Sequence, residues 1–232
     1  MSVAGRLASC FPALHLLLMA ACALQLVWHS DTTLQAGGWT FALLFVTYGL
    51  PVATHRIIDR LAPIREGVVD LGAPRHLPWW TAMQLQWTYV ALPALEVALR
   101  AVPGLYSAWL RCWGSRIGRG VTWTPRVEVL DRSLLDIGDR VALGHRVILS
   151  AHLATIRGGR CLAYIRRVRI GHDVFVGAGS MIGPGARIGD GAVIGYAALL
   201  PLNARVAAGA SIEAMARVDA RGTSRPTDTT VP

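Results

Sequence analysis

The chain has 232 residues, 53% of them hydrophobic and 16% charged, enough for one large domain or two small ones. Its formal charge of +9 rests on arginine alone, and those arginines are scattered over two segments without a recognition motif, which argues against a nucleic-acid partner and suits anionic lipid equally well. Cys10, Cys22, Cys112 and Cys161 follow no metal-ligand or disulfide spacing, as in a protein of a reducing compartment.

Residues 7–28 and 39–58 are nearly uncharged, and a helix needs about 20 apolar residues to cross a bilayer. We therefore expect a two-helix transmembrane hairpin over 1–60. The connection 29–38 has no Arg, whereas Arg6 lies on one flank and Arg56, Arg60, Arg65 and Arg75 on the other. The positive-inside rule then puts both flanks in the cytoplasm, with Trp28 and Trp39 as anchors beside the outer turn. A cleaved signal peptide ending near Met19-Ala20-Ala21-Cys22 fits less well, because the apolar run continues to Trp28 and a second one comes after it.

Between 61 and 113 the pattern becomes amphipathic. Trp80, Met83, Trp87, Val90, Ala94 and Val97 share one helical face, Gln84, Gln86 and Glu96 interrupt the rest, and Pro93 would kink the helix. The expectation is a helical region at the membrane surface, with a third span over 79–100 as the alternative. Residues 105–113, with Trp109, Arg111 and Trp113, are expected to cover the open end of the domain that begins at 114, because an uncapped sheet exposes its edges.

From Ile170 onward the chain repeats every six residues. Ile170, Val176, Ile182, Ile188, Ile194, Leu200, Val206 and Ile212 head eight hexads. Each fourth residue beyond is small or β-branched: Val174, Ser180, Ala186, Ala192, Ala198, Ala204, Ala210 and Ala216. This period predicts a β-solenoid, a parallel β-helix in which each hexad is a short strand and a turn. Gly171, Gly177, Gly183, Gly189 and Gly195 stand directly after the first five heads and suit turns that a Cβ would resist. Upstream, Ile117, Trp123, Val129, Ile137, Leu143 and Leu149 head further hexads, with Val121, Val127, Ser133, Val141, Val147 and Leu153 four residues on, so that the repeat domain covers 114–218. The register slips by two residues between Ser133 and Ile137, and it lapses over 154–169, an arginine-rich stretch read as a loop leaving the coil. Loops on a repeated scaffold are where function concentrates. Residues 219–232 read as a disordered tail.

The stretches Ile170-Gly171-His172-Asp173-Val174-Phe175-Val176-Gly177-Ala178-Gly179-Ser180 and Ile188-Gly189-Asp190-Gly191-Ala192-Val193-Ile194-Gly195 resemble the hexapeptide-repeat acyltransferase superfamily. Residues 110–120 with Leu135-Asp136-Ile137-Gly138-Asp139 are also similar to the membrane-associated acyltransferase-like C-terminal modules of poly-lysine-type peptide synthetases. The resemblance implies a left-handed parallel β-helix, three hexads per coil, assembled as a homotrimer. It implies acyl transfer from acetyl-CoA or another acyl-CoA to a hydroxyl or amine, and no metal is expected, for the reason given below. It places the catalytic histidine at His152, within Ser150-Ala151-His152-Leu153, and cofactor contacts at Ala178, Gly179, Tyr196 and Arg205. A neutral imidazole titrates near the operating pH and can take the acceptor's proton. Arg157 is a candidate for the oxyanion, and His145 is either a structural turn residue or an acceptor contact.

The chain departs from the superfamily at several points. Leu153-Ala154-Thr155 comes after the histidine, Tyr196-Ala197-Ala198 replaces Ala-Gly-Ser, Pro201-Leu202 stands where Thr-Lys often helps hold the cofactor, and Glu213-Ala214-Met215-Ala216 replaces the closing turn. His172 is a minor catalytic candidate. A zinc site on His145, His152 and His172 lacks a ligand, since Gly177 occupies the position of the required second histidine. The expected protein is thus an acyltransferase in the inner (cytoplasmic) membrane with its β-helix facing the cytoplasm, in contact with membrane lipids and acting on an envelope or natural-product precursor that could be lipid-linked. The alternative is a non-catalytic, membrane-tethered trimeric scaffold.

Overall fold

The computed structural model describes residues 2–74, 77–218 and, for the backbone, 224–226. The chain divides into two compact units, Met1–Arg65 with Gly72–Leu92, and Glu66–Leu71 with Pro93–Pro232.

The first unit is helical: α1 (Val3–Ser9), α2 (Phe11–Trp28), α3 (Thr33–Leu44), a π-helical turn over Phe45–Gly49, α4 (Leu50–Leu61) and, after a strand that belongs to the other unit, α5 (Pro78–Ala91). Thr32 and Gln35 form a reciprocal capping box that starts α3. Two continuous stretches, Val3–Trp28 (26 residues) and Thr33–Leu61 (29 residues), are long and apolar enough to cross a membrane. Leu14, Leu17, Leu24, Phe41 and Leu44 face outward and are exposed. Two polar side chains inside the unit reach the main chain: His15 sits between Thr88 Oγ1 and the Val46 carbonyl at 2.9 Å each, and the Tyr89 hydroxyl donates to the Thr47 carbonyl at 2.5 Å. Both carbonyls belong to the π-helical turn, where the widened ladder lets side chains reach backbone acceptors.

α5 packs on α1, α2 and α4 through Trp79, Ala82, Leu85 and Tyr89, while Trp87 and Val90 stay exposed. The helix ends at Leu92, before Pro93, so the expected single stripe is split: Ala94 and Val97 lie on α6 (Ala94–Arg100), in the second unit. Region 61–113 therefore does not stay together as the sequence suggested.

The second unit is a left-handed parallel β-helix of about five coils. Before it comes β1 (Gly67–Asp70) and then α6 and α7 (Leu105–Trp113). The first edge of the coil carries β2 (Arg116–Ile117), β5 (Leu135–Ile137), β10 (Val168–Ile170), β13 (Arg187–Ile188) and β16 (Arg205–Val206). The second carries β3 (Thr122–Trp123), β6 (Ala142–Leu143), β11 (Phe175–Val176), β14 (Val193–Ile194) and β17 (Ser211–Ile212). The third carries β4 (Glu128–Val129), β7 (Ile148–Leu149), β12 (Met181–Ile182), β15 (Leu199–Leu200) and β18 (Ala216–Val218). Heads stack on heads: Ile137, Ile170, Ile188 and Val206 pair in register along the first edge. From Ile170 to Ile212 every head is at most 5% exposed, and burying such a side chain is worth about 1.5–3 kcal/mol.

The glycines behind the heads serve a different purpose from the one expected. Positive φ falls three residues after each head, at Asp173, Gly179, Gly185, Gly191, Ala197, Asn203, Gly209 and Met215, between +53° and +72°. Gly177 is not among these residues. A Cβ there would stand 2.7 Å from the carbonyl carbon of Gly195 on the next coil, so its glycine permits close stacking of backbones.

α7 covers the first coil as expected. Trp113 and Tyr106 are buried, Trp123 Nε1 donates to Ser107 Oγ at 2.9 Å, and Arg111 donates to the Ile117 and Gly118 carbonyls at 2.7 and 2.8 Å, satisfying edge acceptors. At the other end, the tail expected over 219–232 lies outside the described residues except for β19 (Ser224–Pro226), which pairs antiparallel with β18.

Candidate active site

The segment expected as a loop is a β-hairpin. β8 (His152–Arg157) and β9 (Arg160–Ile165) pair over their whole length, and β1 adds to β9 to complete a three-stranded antiparallel sheet. Gly158 and Gly159 have φ of +57° and +72°, the two positive values a two-residue type I′ turn demands. The chain leaves the coil at Ala151 and rejoins it at Val168. Leu153, expected inside the coil, is 48% exposed on the hairpin, and Ala151 is buried instead.

His152 stands where the hairpin leaves the corner between the third and first edges. Its Nδ1 lies 2.8 Å from Asp131 Oδ2, with the His152 side chain 19% exposed and that of Asp131 only 2%. The same carboxylate oxygen accepts the Ala151 backbone N–H at 2.8 Å. As a carboxylate, Asp131 only accepts, so the imidazole proton sits on Nδ1 and the basic lone pair on Nε2. Ser150 Oγ donates to the His152 carbonyl at 2.7 Å and fixes the backbone at the exit.

Asp131 was not among the residues singled out from the sequence. It lies where the slip of register occurs: eight residues rather than six separate Val129 from Ile137, and the surplus forms a buried bulge, Asp131 to Leu135. The bulge meets the base of the hairpin, for Val168 N–H donates to the Leu134 carbonyl at 3.1 Å and Arg167 Nη1 to the Leu135 carbonyl at 2.9 Å. The signal was therefore visible as a fault in the repeat, with a carboxylate inside it.

The other expected site residues fall into three places. His145, Ala178, Gly179 and Tyr196 stack on successive coils at the corner between the second and third edges. Gly179 N–H donates to the His145 carbonyl, and Ala197 N–H to the Ala178 carbonyl, each at 2.8 Å. Tyr196 is exposed there. Arg205 lies on the first edge, in register with Arg187 and Arg169. With Arg166, Asn203, Gly185 and Glu66 these three line a cavity of about 290 Å³. Its Arg166 is tied to the residue before His152, since Arg166 N–H donates to the Ala151 carbonyl and Gly185 N–H to the Arg166 carbonyl. Arg157 is at the hairpin tip, roughly 17 Å of strand from His152, and within one chain the two do not meet. His172 is engaged in the turn ladder: its Nδ1 accepts the Asp139 N–H at 3.0 Å and its own N–H donates to Asp190 at 2.7 Å.

Residues 167–200 match the bacterial transferase hexapeptide family (six repeats). No curated protein matches the chain. Among solved structures it is similar to a hexapeptide-repeat acetyltransferase from Vibrio cholerae O1 biovar eltor in complex with acetyl coenzyme A, at 17% identity over 53% of this chain and 84% of that one, with a TM-score of 0.40. A maltose O-acetyltransferase from Clostridium difficile 630 is 20% identical over 48% and 77% of the two chains, TM-score 0.36. The serine acetyltransferase of Neisseria gonorrhoeae is 17% identical over 92% and 66%, TM-score 0.34.

Proposed function

We propose that the protein is a membrane-anchored acyltransferase that moves an acyl group, acetyl in the first instance, from acyl coenzyme A to a hydroxyl or amine of an envelope or natural-product precursor. The observation that carries this reading is the 2.8 Å contact between His152 and Asp131 at the exit of the hairpin. Nε2 takes the proton of the acceptor hydroxyl or amine as its oxygen or nitrogen attacks the thioester carbonyl. The tetrahedral intermediate then collapses, the C–S bond breaks, and the imidazolium returns the proton to the departing thiolate. Arg166, Arg169, Arg187 and Arg205, which line one cavity, offer planar forks for the donor's phosphates.

Assembly as a homotrimer is part of the same reading. His152 and the stack of Ala178, Gly179 and Tyr196 occupy different corners of the β-helix, so an active site that uses both takes one corner from each of two chains. The outward apolar residues of Val3–Trp28 and Thr33–Leu61 suit lipid, and the arginine-rich flanks suit the cytoplasmic side, where acyl coenzyme A and a lipid-linked acceptor would meet.

The test is mass spectrometry of lipid and small-molecule extracts from cells with the protein, without it, and with His152→Ala. An acyl increment present only with the unaltered protein supports the reading; one that survives His152→Ala removes His152 from the chemistry. The scaffold reading is favoured by the exposed Tyr196 ring, which lies 3.8 Å from where a Cβ on Gly179 would stand, over the expected cofactor corner. Failure of the purified protein to bind coenzyme A would decide for the scaffold.

A further inference from the structure

The bulge that carries Asp131 is held from its other side by an ion pair that the acyl-transfer chemistry does not use. Arg132 is 1% exposed and Glu96, on α6, 4%. Arg132 Nε donates to Glu96 Oε1 at 2.6 Å, and Arg100 Nη2 to Glu96 Oε2 at 2.9 Å. Neighbouring residues thus send their side chains to different anchors, Asp131 to Ala151 and His152, Arg132 to Glu96.

We propose that Glu96 and Arg132 are positioning residues: by clamping the bulge to α6 they hold the Asp131 carboxylate in line with His152 Nδ1. The inference rests on the reading of His152 as the base. Three facts carry it. The bulge has two more residues than the repeat supplies, so the period of the coil does not dictate where Asp131 points. The main chain is tied on either side of Asp131, by Leu130 N–H to the Leu149 carbonyl at 3.0 Å and by Ser115 Oγ to the Arg132 carbonyl at 2.8 Å, and the Arg132 side chain adds a third hold on the residue next to Asp131. An ion pair this deep is also a weak source of net stability, because desolvation offsets most of its attraction, which leaves geometry as its use.

Arg132→Met is the informative change, since Glu96 keeps Arg100 as a partner and no carboxylate is stranded. The full-length protein would be labelled with ¹⁵N-histidine and the His152 resonances assigned by their loss in His152→Asn. In the unaltered protein we expect a single Nδ1–H tautomer. In Arg132→Met we expect both tautomers, together with a fall in kcat of about ten- to hundredfold and an unchanged KM for acetyl coenzyme A, the effect of a small misplacement at the reacting centre. A His152 signal and kcat like those of the unaltered protein would overturn the proposal, and so would a lower kcat with an undisturbed tautomer. If Arg132→Met does not fold, Arg132→Lys, which keeps the charge and loses the fork, takes its place with the same two outcomes. Retained transfer in His152→Ala would defeat the functional reading alone, because the tautomer measurement decides the positioning role without any turnover.

Discussion

The run from Ile170 to Ile212 and the two interruptions before it are built from the same kind of coil, yet they do opposite things. In the run, each head sits over another head and each positive φ recurs three residues later. At the interruptions the repeat gives way, and the two faults meet: Asp131 from the first accepts the N–H of Ala151 at the start of the second, and Leu134 accepts that of Val168 at its end. A regular solenoid offers every coil the same surface, so a unique site requires a departure from the period. Here two departures, on adjacent coils of one corner, bring a buried carboxylate and an imidazole together.

That contrast is most directly broken at His152. His152→Ala should lower acyl transfer by about 10²–10⁴-fold, the usual contribution of a general base, with rates normalised to folded protein because the buried Asp131 carboxylate loses this side-chain partner. Asp131→Asn keeps the shape and should fall in the same direction, through loss of the tautomer that puts the lone pair on Nε2. Steady-state rates of coenzyme A release from acetyl coenzyme A measure both. Equal rates in all three proteins would mean that the faults in the repeat carry no chemistry.

The run should answer in the opposite way. Ile194 is fully buried, stacked between Val176 and Ile212, and Ile194→Ala should destabilise the fold by about 2–5 kcal/mol through lost burial and the cavity left behind. The folded fraction should keep its rate. Denaturant midpoints and rates normalised to folded protein separate the two effects. A loss of kcat per folded molecule would show that the run and the site are less separate than their geometry suggests.

Much of the solenoid was legible because period is a local property. Heads, interior small residues and the capping helix over 105–113 need only neighbours in sequence, and the structure keeps most of them where the pattern put them, apart from Leu153 and the half-buried Val121, Trp123 and Ala210 of the end coils. What escaped depends on distant partners. β1 pairs with β9 across more than ninety residues, and no pattern in Gly67-Val68-Val69-Asp70 announces it. The hairpin was hidden by the same cause, since its arginine content looks like a loop while its Gly158-Gly159 turn is the sign of a hairpin. The Asp131 to His152 contact spans twenty-one residues and exists only because the coil bulges by two. The role of the glycines was misread because stacking of backbones and positive φ both favour glycine, and only the packing of one coil on the next decides which applies at each position.

The glycine assignment can itself be tested. Gly177→Ala should destabilise by about 1–3 kcal/mol, as overpacking does, since its Cβ would press on backbone that cannot move independently of the coil. Gly191, with a φ of +66° and open space around its Cβ, should accept Asn more readily than Ala, because the left-handed conformation and not contact is the constraint there. Comparable losses in Gly177→Ala and Gly191→Ala, with no rescue by Asn at 191, would erase the distinction.

The smallest expected effect lies on the corner away from the site, where charges decorate the regular turns. The Arg119 backbone N–H, aided by His172 and Arg140, holds the Asp139 carboxyl below its ordinary value of 3.8, and the Arg140 guanidinium does the same for Asp173 through bonds of 2.6 and 2.7 Å. A depressed folded-state value means that the stabilisation is fully present above the ordinary value and drains away as pH falls through the lowered one. Both side chains are exposed and screened by solvent, so the loss should be slight and should shrink further in salt. Urea midpoints measured above and below that range should differ less in Asp173→Asn than in the unaltered protein. Because this corner touches neither fault in the repeat, the same substitution should leave acyl transfer unchanged, and a reduced rate would tie the regular turns to the site after all.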